Sequence, residues 1–67
     1  MLVNKDEFLK SMEAHGYSLK ECSDLMEINR VYLWYILSGK RKPGNKFISG
    51  LSKVFPDQPV EKFLVKV

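Results

Sequence analysis

Ser18-Leu19-Lys20-Glu21-Cys22-Ser23-Asp24-Leu25-Met26-Glu27-Ile28-Asn29-Arg30-Val31-Tyr32-Leu33-Trp34-Tyr35-Ile36-Leu37 is the stretch on which the fold turns. Ser18 stands three residues before Glu21, so each side chain can satisfy an orphan backbone N–H of the other at a helix start. Leu19, Cys22, Leu25 and Met26 then fall on one side, which predicts a helix of about eight residues. Asn29 is a second good N-cap, and no Gly or Pro interrupts the chain from Arg30 until Gly39, which predicts another short helix over 30–37. Only Glu27, Ile28 and Asn29 separate the two. Ile28 is apolar inside an otherwise polar turn, as a side chain plugging the angle between two helices must be, with Leu25 or Met26 before it as core residues. Leu33 and Ile36 face inward at a spacing of three, leaving Arg30, Val31, Trp34 and Tyr35 outward.

Upstream, Asn4-Lys5-Asp6-Glu7 has the same capping-box spacing, and Val3 and Phe8 are placed as a hydrophobic staple. A first helix is expected from near Lys5, carrying Phe8, Leu9 and Met12 at helical spacing, to near His15, with Gly16 supplying the positive φ just past its end. Downstream, Lys40-Arg41-Lys42-Pro43-Gly44 reads as a basic loop, because Pro43 disfavours helix at Lys42 and Gly44 adds a second break. A further helix follows from near Asn45, its apolar face made of Phe47, Ile48, Leu51, Val54 and Phe55. Gly50 weakens that helix by about 1 kcal/mol relative to Ala, so packing must hold it. Pro56 ends it. Asp57 or Gln58 can cap a last turn in which Pro59 suits the first helical position before Val60, Phe63 and Leu64. Residues 64–67 are open between strand and helix, since the run is too brief for periodicity to decide. The fold expected is all-α, a compact bundle of four to five short helices forming a single domain over residues 1–67.

A chain of 67 residues buries only about 60% of the surface its unfolded form exposes, which excludes a two-domain enzyme. Its 45% apolar and 28% charged content is that of a soluble globular domain. One cysteine cannot form an internal disulfide, and no Cys/His set has zinc-ligand spacing, so the core must come from packing. The longest apolar run, Val31 to Leu37, is too short for a membrane span, and Lys5, Asp6 and Glu7 break the N-terminal segment where a signal peptide is apolar. No membrane partner and a cytoplasmic home are expected. Cys22 falls on the inward side of its helix and reads as a small buried hydrophobe. His15, at a helix C-terminus, has no ligand partners, and the acids of the first turns complement helix dipoles. No nucleophile triad, phosphate-binding glycine loop or calcium loop is present. The chain is not expected to be an enzyme or to use a metal or cofactor.

Charge is segregated. Residues 1–27 hold three lysines against six acids, a net −3, whereas residues 28–56 carry Arg30, Lys40, Arg41, Lys42, Lys46 and Lys53 with no Asp or Glu, a net +6. Residues 57–67 balance to zero, so the overall +3 is all central. An acid-free stretch with six cations is the footprint of a surface that faces a polyanion, because nothing in it repels phosphate.

Three segments carry a family resemblance. Gly16-Tyr17-Ser18-Leu19-Lys20-Glu21, Met26-Glu27-Ile28-Asn29 and Ser38-Gly39-Lys40-Arg41-Lys42-Pro43 resemble, in turn, the opening of helix two, the turn, and the loop after helix three of the phage repressor and Cro-like helix-turn-helix regulators, the xenobiotic-response-element type. The likeness spans nearly the whole chain. It implies a five-helix lambda repressor-like domain from a phage or mobile element, a sequence-specific transcriptional regulator that docks helix 30–37 in the major groove of double-stranded DNA, usually as a homodimer. Carried over by position, it makes Asn29, Arg30, Val31 and Tyr35 base-facing and places Tyr32 and the loop Lys40, Arg41 and Lys42 near phosphate. Arg30 can present two N–H groups to guanine, and Lys46 joins the loop cations where counterion release supplies affinity. Leu19 stands where the family has a phosphate-bonding Gln, and Glu27 where it has a turn Gly. Seven apolar residues in a row at 31–37 exceed what one core face can absorb. Val31, Tyr32, Trp34 and Tyr35 are therefore also expected to form a protein interface, which gives a second reading: an antirepressor that covers another repressor protein with this face. Trp34 has an alternative place in the core between helices three and four, and Phe63, Leu64, Val65 and Val67 either close the core or form a two-fold contact.

Overall fold

Asn4, Ser18 and Asn29 each accept a hydrogen bond from a first-turn N–H, of Glu7 at 3.2 Å, Glu21 at 3.1 Å and Val31 at 2.7 Å, and so fix three helix starts. The computed structural model describes residues 2–65. Along it run a strand β1 (Leu2–Val3), helices α1 (Lys5–His15), α2 (Leu19–Met26), α3 (Arg30–Leu37) and α4 (Asn45–Val54), a 3-10 turn (Val60–Phe63) and a strand β2 (Leu64–Val65). The architecture is a small all-α bundle whose two ends are joined by a short ribbon.

Helices α1, α2 and α3 stop in one way. A left-handed residue follows each helix, Gly16 at φ 70° and Glu27 at φ 59° directly after α1 and α2, and Gly39 at φ 83° one residue later, after Ser38, at the end of α3. Its N–H reaches back to Glu13, Asp24 or Ile36, while the next N–H, of Tyr17, Ile28 or Lys40, reaches Met12, Ser23 or Tyr35. This double bond pattern satisfies the last carbonyls and turns the chain sharply.

The Ser18–Glu21 capping box is complete in both directions. The one expected at Asn4 is half made: the backbone N–H of Asn4 bonds Phe63 O at 2.8 Å instead of Glu7. The reason is the ribbon. Leu2 pairs with Val65 and Val3 with Leu64 in antiparallel register, so Val3 packs on the core that includes Phe8 from within a strand. The last turn also differs from expectation. Pro59 sits at its N-cap, and neither Asp57 nor Gln58 caps it. Gln58 instead accepts from Ser11 Oγ at 3.1 Å and Lys62 Nζ at 2.7 Å. Leu64 and Val65 are strand, and Lys66 and Val67 lie outside the described residues.

The core is one cluster, with Phe8, Phe47, Phe55 and Phe63 at its aromatic centre and Leu33, Ile36, Leu51, Val54, Cys22 and Met26 around it. Phe8 meets Phe55 and Phe63 edge-on at 5.4 and 6.1 Å, and Phe55 stacks on Phe63 at 5.3 Å. Phe63 therefore closes this core. Met26 is buried, whereas Leu25 and Leu9 are exposed. Burial, with a smaller contribution from the Glu21 carboxylate, pushes the Cys22 thiol up to about 11, as suits an unreactive packing residue. Among the described residues, no helix is long and apolar enough to cross a membrane.

Candidate nucleic-acid interface

α3 begins where Asn29 caps it, and at 100° per residue the positions Leu33, Ile36 and Leu37 fall on one side. All three are buried. Val31 and Tyr35 therefore lie along the opposite midline, with Trp34 on one flank and Tyr32 on the other. Val31 is 53% exposed, Trp34 44% and Tyr35 41%, so Trp34 is a surface residue and takes no place in the core. Tyr32 is half-buried. Ile28 packs partly buried against the core beside the turn, as a plug does.

The basic loop folds back over this surface because the end of α3 holds it there. Tyr35 O accepts the backbone N–H of Lys40 at 2.9 Å and of Arg41 at 3.2 Å, together with Ser38 Oγ at 3.1 Å. From that anchorage the Lys40 ammonium stands 5.8 Å from the Tyr35 ring centroid and the Arg41 guanidinium 5.2 Å from that of Tyr32. On the other flank Lys5 Nζ lies 4.9 Å from the Trp34 ring. The Tyr32 hydroxyl sits at the Pro43-Gly44 bend, 3.1 Å from where a β-carbon on Gly44 would stand. Gly44 provides no side-chain cap for α4, so the first-turn N–H groups of α4 open beside Lys46. Glu27, Ile28, Asn29, Tyr32, Asn45 and Lys46 line an open hollow of about 720 Å³ there.

Of the residues singled out in the sequence, Tyr32, Tyr35, Lys40 and Arg41 are drawn together at the end of α3, and Asn29, Tyr32 and Lys46 at the hollow. Asn29, Arg30, Val31 and Tyr35 are exposed, and so are Lys40, Arg41, Lys42 and Lys46. Among the described residues none of Arg30, Lys40, Arg41, Lys42 or Lys46 forms an ion pair. The sixth cation of the acid-free stretch is different: Lys53 donates to Glu27 and joins α4 to the end of α2. That hydrogen bond first, and the Lys53 charge second, hold the Glu27 carboxyl below its ordinary value. The Asn29 oxygen is engaged by the Val31 N–H, which leaves its amide NH2 group as the outward donor. Leu19 lies half-buried against the core and offers α2 no polar group at that position.

Lys5 belongs to this surface, and sequence reasoning missed it. It sits in the acidic first half, at the start of α1 directly after β1, which packs beside α3. Two-residue strands carry no periodicity by which to find them. Comparison with family models, curated proteins and solved structures finds no match for the chain.

Proposed function

We propose that the chain is a sequence-specific DNA-binding regulator of the helix-turn-helix type it resembles, acting in the cytoplasm and docking α3 in the major groove of duplex DNA. The observation that carries this reading is the exposure of five cations, Arg30, Lys40, Arg41, Lys42 and Lys46, none of them in an ion pair among the described residues, with Lys40 and Arg41 held over the rings of an eight-residue helix. A helix of that width fits the major groove, and its first turn is the part that reaches base edges. In this reading Asn29 and Arg30 offer donors to base edges, Val31 meets a thymine methyl, and the Tyr35 hydroxyl completes the base-facing set. Tyr32, the loop cations and Lys46 contact phosphate, next to the uncapped start of α4, where backbone N–H groups favour an anion. Two copies would read half-sites one helical turn apart.

A second reading is favoured by the exposure of Val31, Trp34 and Tyr35, since an aromatic and aliphatic patch of this kind is enriched at protein interfaces. In it the same face covers another repressor protein, and the chain acts as an antirepressor.

One experiment separates the two: duplex selection from a random pool, then binding across a salt series by wild type, Arg30→Ala and a Lys40→Ala/Arg41→Ala double variant. The DNA reading expects the double variant to weaken all sequences alike and to lower the log–log salt slope by about 1.8, at about 0.9 per phosphate contact. Arg30→Ala is expected to relax discrimination at one base pair by about 1–3 kcal/mol. Absence of saturable duplex binding at low salt, or indifference to both changes, rejects the duplex reading.

A further inference from the structure

The aromatic side chains form two populations. Phe8, His15, Tyr17, Phe47, Phe55 and Phe63 pack ring against ring, at centroid separations between 5.2 and 6.3 Å. Tyr32, Trp34 and Tyr35 enter no ring pair among the described residues. Each has a cation instead: Arg41, Lys5 and Lys40, at 5.2, 4.9 and 5.8 Å. The outer face of α3 is therefore a row of separate ring platforms, each supplied with its own positive charge.

Duplex recognition leaves part of this unused. Bases stacked in a duplex present their edges to a helix and keep their faces to themselves. Trp34 stands about 80° round the helix from the Val31–Tyr35 midline, where a groove wall of sugar and phosphate has no use for an indole face. Lys5 accompanies it on the same flank. Unpaired bases do use ring faces, and stack on them without regard to sequence while adjacent cations follow the backbone.

We propose that the outer face of α3 from Trp34 to Tyr35 binds single-stranded nucleic acid, with unpaired bases stacking on Trp34 and Tyr35 and phosphates held by Lys5 and Lys40. Exposed cation–ring contacts are weak, so each head group can leave its ring for a phosphate as a base takes its place. The partner is a polyanion and not a protein, because every outward ring is matched to a cation and residues 28–56 contain no acid to pair with a partner's basic groups. The proposal goes beyond the duplex reading and does not depend on it, since Trp34 and Lys5 have no part in that reading.

The test titrates a single-stranded oligothymidylate and a mixed-sequence duplex of equal length against the intact chain at about 50 mM salt, following the emission of Trp34, the one tryptophan. Anisotropy of labelled probes extends the comparison to variants, with circular dichroism melts confirming that each is folded. The oligothymidylate is expected to quench Trp34 saturably. Trp34→Ala should weaken its binding about 5- to 100-fold and leave duplex affinity unchanged, while Trp34→Phe keeps most of it. Lys5→Ala should lower the single-strand salt slope by about 0.7. Oligothymidylate binding with no duplex binding upholds this proposal and removes the duplex reading; the reverse removes this one. The proposal is also overturned if Trp34→Ala and Lys5→Ala leave single-strand binding unchanged, if Trp34→Ala weakens both probes equally, or if neither probe binds, which would assign the face to a protein.

Discussion

Glu27 is the sole described non-glycine residue with a positive φ, at 59°, and it occupies the place that Gly16 and Gly39 take at the ends of α1 and α3. A side chain in that conformation crowds its own backbone, and the position keeps one because the carboxylate reaches Lys53 on α4. Backbone ease is exchanged there for a tether between α2 and α4. The two effects separate by pH. A carboxyl held below its ordinary value of 4.5 contributes stability that is fully present above that value and is lost as pH falls through the lowered one. Glu27→Gln should therefore lower the thermal midpoint at neutral pH and converge on the wild type as pH falls through the lowered value, where the wild-type pair is lost. Glu27→Gly relieves the backbone and loses the pair, so its advantage over wild type should be larger in acid than at neutrality. A Gln deficit that persists unchanged in acid would show that the ion pair is not what Glu27 contributes. The backbone demand at this position was legible in the sequence, because the resemblance places a glycine there; Lys53, 26 residues away, was not.

At the scale of elements, what could be read depended on how local the signal was. The four helices follow from caps and terminators within a few residues of each end, and Asn4, Ser18, Asn29, Gly16 and Gly39 act where their neighbours place them. The outward side of α3 was legible too, since seven consecutive apolar residues cannot all turn inward. The β1–β2 ribbon was not, because its pairing joins opposite ends of the chain through two residues on each side, and with it went the place of Lys5. Gly50 is a further case. Its sequence context suggests only a weak point in α4, but a β-carbon there would lie 2.8 Å from Met26 Cβ, so the glycine is what lets α2 and α4 approach. Gly50→Ala would gain about 1 kcal/mol of helix propensity. The atom it meets is fixed close to the α2 backbone and cannot swing aside, and overpacking of this kind costs roughly 1–3 kcal/mol. We expect a net loss of stability in urea denaturation, with a lower midpoint and an unchanged m-value. A variant more stable than the wild type would mean that the two helices separate without penalty.

For the whole molecule, the ends of the chain and the proposed working surface are mechanically one problem. Phe63 is fully buried against Phe8 and Phe55. Its carbonyl takes the Asn4 N–H, and the next two residues pair with Leu2 and Val3. A single side chain thus anchors the segment that completes the core, seats the start of α1 and, through β1, sets Lys5 against Trp34. At roughly 0.05–0.15 kcal/mol per residue, a chain of this size has about 3–10 kcal/mol of stability in all, and truncating a buried phenylalanine to alanine costs about 3–5 kcal/mol. Phe63→Ala should accordingly take away between about a third and all of that stability and lower the midpoint sharply, whereas Phe63→Leu, which keeps most of the volume, should lower it less. Truncation after Pro59 should behave like the alanine variant, because it takes away Phe63 and the ribbon together. Far-UV circular dichroism melts measure this directly. A truncated chain that still melts cooperatively near the wild-type midpoint would mean that α1 to α4 form a self-sufficient core, and that the terminal segment serves only to position Lys5 beside α3.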